Sequence, residues 1–128
     1  VHSYGLRLAG NNGFRITDHA GESWPEGDIY QALDRIKGAI ETGVVERIGH
    51  ATALGIHPER LRDAVWSSGK LKGTPIYTLD DIRKIERIQK TLIKEIIQRG
   101  IVVETNPSSN FLLLPKYIPT YKAHPIRY

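Results

Sequence analysis

Cysteine is absent from the 128 residues of this chain. That absence excludes a disulfide framework and is compatible with a reducing compartment. It also removes every thiolate metal site, so any metal here must be held by histidine and carboxylate side chains. Long apolar runs are missing too. The longest, Phe111 to Leu114, is four residues, against the roughly 20 that a membrane-spanning helix needs. No secretory signal is visible. Together these absences lead us to expect a cytoplasmic protein with no membrane partner. The chain opens on Val1 and not on Met, so we expect it to be processed, trimmed or part of something longer.

What is present is ordinary for one globular domain. The formal charge is +4. Much of the basic excess lies in one stretch, through Arg83, Lys84, Arg87, Lys90, Lys94 and Arg99, which reads as the solvated face of a helix. Lys116, Lys122 and Arg127 cluster near the end, with Tyr117 and Tyr121 between them. No RNA-binding motif accompanies either group, and we expect no nucleic-acid partner.

Strand-like and helix-like segments alternate along the chain. Phe14 to Thr17 is a short extended run of aromatic and β-branched residues. From Asp28 to Ile40, the residues Ile29, Ala32, Leu33, Ile36 and Ile40 share one helical stripe. Ser23 and Glu26 have capping-box spacing, so this helix starts there or at Asp28, and Gly43 suits its end. Val44 to Ile48 is the next strand, closing on Gly49 and His50. His57 to Trp66 then reads as a short helix and Ser67 to Pro75 as an exposed loop. Thr78 or Asp80 caps a long helix to Arg99, with a stripe of Ile82, Ile85, Ile88, Leu92 and Ile96 that Ile93 and Ile97 widen. Gly100 ends it. Ile101 to Val103 is a third strand, closing on Glu104 to Pro107.

Alternating strands and helices imply parallel strands, because each crossover returns the chain to the same end of the sheet. In parallel barrels the catalytic groups lie where strands end and the following loops begin. His19, Glu22, His50 and Asn106 fall at such ends. Neutral imidazole binds zinc, and a catalytic zinc supplies hydroxide near neutral pH. Hydrolysis by such a water needs an acid and a base beside the metal, and His19, Glu22 and His50 are of the right type for ligand, acid and base. Each also has a plain structural reading. A lone histidine can be a satisfied structural residue, and Glu22 can simply favour a helix N-terminus.

The sequence also carries an ordered set of likenesses. His19-Ala20-Gly21-Glu22 resembles the signature of the adenosine deaminase family. Arg47-Ile48-Gly49-His50-Ala51 is similar to its Arg-Ile-Gly-His-Gly segment, with Ala51 in place of the usual glycine. Glu104 to Asn110 resembles its Glu-x-Cys-Pro-x-Ser-Asn segment, His124-Pro125 the His-Pro before its last strand, and Leu8-Ala9-Gly10 the Leu-Ala-Gly that closes an earlier strand. Order and frame agree from Leu8 onward. The resemblance implies that His19 is a zinc ligand and that Glu22 protonates the purine ring nitrogen next to the attacked carbon. It further implies that His50 orients or deprotonates the attacking water, that Gly10 and Gly21 contact the substrate, and that Asn106 to Asn110 shape the pocket floor. Ala20 stands where AMP deaminases usually carry Cys, which leans toward a nucleoside over a nucleotide.

Departures from the family pattern are equally definite. The His-x-His pair of its first strand does not occur here, the paired aspartates of its final strand are expected just beyond Tyr128, and only Asn11 to Gly13 separate Gly10 from Phe14. The segment from about Thr52 to Arg99 is longer than in compact relatives, which suggests an added partner surface. The resemblance implies one partial domain over residues 1–128, an incomplete portion of a (β/α)8 TIM-type barrel. A whole barrel takes about 250 residues, so the remaining strands are expected from the same full-length polypeptide or another chain. The expected activity is zinc-dependent hydrolytic deamination of adenosine or an adenine nucleotide with release of ammonia, the portion alone being inactive. Two alternatives stay open. One is a larger homo-oligomeric deaminase of a bacterial anti-phage assembly; the other is a catalytically silent scaffold.

Overall fold

The computed structural model describes residues 2–22, 28–57, 61, 77–113, 120, 122 and 124. Within them the chain is α/β. Helix α1 (His2–Asn11) leads into strand β1 (Ile16–Ala20), helix α2 (Ile29–Glu41) and strand β2 (Val45–His50). A single 3-10 turn (Thr52–Leu54) precedes helix α3 (Leu79–Arg99), strand β3 (Val102–Glu104) and helix α4 (Pro107–Leu113). The strands form one three-stranded parallel sheet in the order β1-β2-β3. The helix read over His57 to Trp66, the loop from Ser67 to Pro75 and the Ser23–Glu26 capping box fall largely outside the described residues.

The elements follow from local chemistry. Asp28 caps α2 by accepting the Tyr30 amide at 3.0 Å. That leaves Ile29, Ala32, Leu33, Ile36, Ala39 and Ile40 buried on one stripe, packed against β1, β2 and α3. Strand β1 runs two residues later than its composition suggested. Phe14 and Arg15 are exposed, and pairing starts only where Ile16 meets Val45. Ladder partners, not propensity, set that boundary.

Helix α3 carries a reciprocal capping box. The Thr78 hydroxyl accepts from the Asp81 amide at 3.2 Å, and the Asp81 carboxylate accepts from the Thr78 amide at 2.9 Å. Asp81 also accepts from the Tyr30 hydroxyl at 3.0 Å. Partial burial and the Asp81 carboxylate together push the Tyr30 phenol up to about 12. One carboxylate thereby joins the starts of α2 and α3. Thr78→Ala is expected to lower stability by about 1 kcal/mol, read as a fall in the urea midpoint at constant slope.

Two expectations are corrected here. The buried stripe of α3 is Ile82, Ile85, Gln89, Leu92 and Ile96, while Ile93 and Ile97 are exposed. Gln89 is buried because its amide nitrogen donates to the carbonyls of Ala53 at 2.8 Å and Ile56 at 2.9 Å. Those bonds tie the helix to the turn that follows β2. Second, Leu8-Ala9-Gly10 does not close a strand. It lies in α1, where a β-carbon on Gly10 would stand 2.6 Å from Cβ of Val44. Gly10 is there so that α1 can approach the start of β2.

Candidate active site at the ends of the first two strands

The parallel register sets His19 beside Gly49 and Ala20 beside His50. Both strands therefore end at the same rim, and each is followed by backbone that only a sharp reversal explains. After β1, Gly21 turns at φ +83°. Its carbonyl accepts the Ala53 amide at 2.9 Å and the Thr52 hydroxyl at 3.0 Å, which fastens the two post-strand loops together. Where β2 ends, His50 at φ 69° and the following Ala51 at φ 46° are both left-handed. Two successive non-glycine residues in that region are uncommon, and such backbone clusters at functional sites. The Ala51 amide donates to the carbonyls of Ala20 and Gly49, each at 3.0 Å, holding the bend in place.

These turns bring three side chains together. Glu22 lies between two imidazoles, with Oε2 at 3.3 Å from Nε2 of His50 and Oε1 at 3.8 Å from Nδ1 of His19. The two rings meet edge to face with centroids 5.1 Å apart. One ligand atom from each of His19, Glu22 and His50 lies within 4.8 Å of the others, and the group could hold a metal ion. Two imidazoles and a carboxylate fit zinc and several other divalent metals. The exposure is graded: the side chain of His50 is 9% exposed, that of Glu22 29% and that of His19 64%.

The other residues read from the sequence are placed differently. Gly10, in α1, packs against Val44 just before β2, at the opposite end of the sheet from this rim, and does not join the group. Gly21 is at the rim but buried, with a β-carbon there blocked by Ile36 and lying 3.3 Å from Cα of Ala51. Its demonstrable part is to let Glu22 fold back over the strand ends. Asn106 is exposed and its carbonyl accepts the Asn110 amide at 3.0 Å, so it serves the turn into α4. A cavity of about 320 Å³ along β1 touches His19, Asp18, Arg35 and His2. Neither Glu22 nor His50 lines it, which separates it from the three-residue group.

Two features went unread in the sequence. Gly49 provides the space for His19: a β-carbon there would stand 2.7 Å from Cδ2 and 3.0 Å from Nε2 of the ring. The signal was available, since a glycine directly before a strand-end histidine faces its neighbour once the strands are paired. Gly49→Ala is expected to tilt the His19 ring away from Glu22 and to weaken any metal binding by this group about 10–100-fold, the usual cost of losing support for a ligand. Calorimetric titration with zinc measures it. The second feature is Asn110, fully buried on α4, whose amide reaches Nδ1 of His50 at 3.1 Å. Its carbonyl oxygen lies 3.0 Å from Nε2 of the buried His124.

Among the described residues no helix is long and apolar enough to cross a membrane. Searches of protein-family models, curated proteins and solved structures find no match to this chain.

Proposed function

We propose that this chain is part of a zinc-dependent hydrolytic deaminase acting on adenosine or an adenine nucleotide, its three-stranded sheet being a portion of a (β/α)8 barrel. The observation that carries the reading is the meeting of His19, Glu22 and His50 at one rim of a parallel sheet. The ordered sequence likenesses to adenosine deaminases point the same way. Composition alone, lacking any thiolate, already argues against cytidine-type nucleobase deaminases, whose zinc is held partly by cysteine.

A bound zinc would be held by His19 together with ligands from outside this chain, and would lower the pKa of water toward 7. The chain's own groups supply the rest. Glu22 is placed to give a proton to the purine ring nitrogen, which draws electrons away from the amino-bearing carbon and opens it to attack. His50, nearly buried, steadies the attacking water and the oxygen that gains charge as the carbon becomes tetrahedral. The proton shed by the attacking water passes through His50 to the amino group, the C–N bond breaks and ammonia leaves, and the remaining hydroxyl proton returns to Glu22 as the carbonyl forms.

The deciding experiment measures zinc content and ammonia release in the full-length polypeptide and in its His19→Ala variant. Stoichiometric zinc with conversion of adenosine to inosine, both lost in the variant, is the expected result. A wild-type protein without zinc that releases no ammonia from adenosine, AMP or ATP would overturn the reading in favour of a silent scaffold.

A further inference from the structure

Helix α3 reaches the candidate site through a side chain that is not part of it. Gln89 lies on the buried stripe of α3 and is 5% exposed. Its amide nitrogen carries two hydrogens, and two carbonyls accept from it, that of Ala53 at 2.8 Å and that of Ile56 at 2.9 Å. Both acceptors belong to buried residues, so loss of the donor leaves carbonyls unpaired away from water. Two carbonyls facing one group also fix which end of the amide points at them, because only the nitrogen can donate. Helix α3 packs on this turn, but apolar contact is not directional. The two hydrogen bonds set the angle of the turn.

Ala53 passes the constraint on. Its own amide donates to the Gly21 carbonyl at 2.9 Å, and the Thr52 hydroxyl donates to the same oxygen at 3.0 Å. That carbonyl and the amide nitrogen of Glu22 belong to one planar peptide group. Holding the oxygen therefore sets the direction in which the chain leaves Gly21 and carries Glu22 over the strand ends. Glu22 lies outside any helix or strand, so neither a ladder nor a helical bond orients it. The turn that bears Thr52 and Ala53 also opens directly after the left-handed pair His50 and Ala51. One clamp thus serves the backbone on both sides of the three-residue group.

We infer that Gln89 is a positioning residue for the candidate site: acting through Ala53 and the Gly21–Glu22 peptide group, it sets where the Glu22 carboxylate stands relative to His19 and His50. This rests on the role proposed for Glu22 above, while the mechanical link holds whatever substrate the site takes and whether or not a metal is bound. Both hydrogen bonds from the Gln89 amide nitrogen go to backbone carbonyls, so its effect on the site is transmitted and not direct.

Proton–nitrogen NMR of the full-length polypeptide tests the link without any assay of activity. In the wild type, the side-chain amide protons of Gln89 and the backbone amide of Ala53 are expected to exchange slowly with solvent. Fast exchange of the Gln89 pair overturns the inference with no variant required. Gln89→Met keeps the length of the side chain and removes both donors. It is expected to raise exchange at Ala53 by about tenfold or more beyond the rise at Ile48, in the core of β2, and to shift the Glu22 amide resonance. Leu92→Ala takes bulk from the same stripe of α3 without removing a donor. It should raise exchange at Ala53 and Ile48 alike and leave the Glu22 resonance in place, as a merely structural role predicts. Should the methionine variant not fold, Gln89→Asn, one methylene shorter, is measured with the same expectations. In a folded Gln89 variant, an Ala53 amide that keeps pace with Ile48, or an unmoved Glu22 resonance, overturns the inference. Where the protein deaminates adenosine, Gln89→Met should lower kcat by up to about 100-fold with little change in KM. The same change in a Glu22→Gln background should then cost little, and equal losses in both backgrounds overturn the link through Glu22. A wild type that shows the expected exchange but no deamination counts against the assigned reaction alone.

Discussion

Under the proposed deaminase reaction, Glu22→Gln is expected to lower the rate by about 10²–10⁴-fold, the usual contribution of a positioned proton donor, with the fold and any bound metal retained. Glutamine keeps the shape of the side chain and an oxygen at the position that lies 3.3 Å from Nε2 of His50. What it loses is a transferable proton. The plain reading of Glu22, as an acidic residue favouring the start of a helix, meets a specific difficulty. Helix α2 begins at Ile29 behind its own cap, Asp28, so Glu22 is not in its first turn, where a macrodipole effect would be felt. The Glu22 side chain is instead partly buried against two imidazoles. Steady-state kinetics with adenosine at saturating concentration give the answer. A Gln variant with wild-type kcat would remove Glu22 from proton transfer and leave it a role in orienting His50.

Much of this site was legible because parallel β/α alternation brings strand ends together whatever the tertiary detail. His19, Glu22 and His50 could be placed at equivalent ends from the spacing of apolar runs alone, and the register of β1 on β2 then sets them side by side. The helices were legible for a similar reason. The stripe of α2 and the Thr78 cap of α3 are local patterns with local causes. What could not be read is what depends on contacts distant in sequence. Gln89 is buried by two carbonyls 36 and 33 residues earlier, and no periodicity marks a polar residue as belonging to a core. Leu8-Ala9-Gly10 misled because its likeness to a strand-closing Leu-Ala-Gly rests on three residues, and a glycine there suits a close helix contact equally, as its approach to Val44 shows. Asn110 was read only by resemblance, as part of a segment that shapes the pocket floor. Its tie to His50 spans 60 residues, and the satisfaction of a buried amide appears only once burial is known.

The backbone that delivers Glu22 is expected to be the least tolerant point of the rim. Gly21→Ala should cost about 2–5 kcal/mol, the sum of roughly 1–2 for a left-handed alanine and roughly 1–3 for overpacking a filled core. Both terms are visible at this position: φ is +83°, and the added methyl group would collide with the Ile36 side chain. Ile36 cannot easily give way, since it is fully buried on the core-facing stripe of α2. Gly13 separates the two terms. It has nearly the same φ, +82°, with nothing within 4 Å of an added β-carbon, so Gly13→Ala should show the conformational cost alone, about 1–2 kcal/mol. Urea unfolding of the two variants side by side reads the difference as the packing term. Equal losses would mean that the loop after β1 relaxes away from Ile36 at little cost. Glu22 would then not be held over the strand ends by packing, and its reach toward His50 would depend on the carbonyl bonds from Gly21 to Thr52 and Ala53.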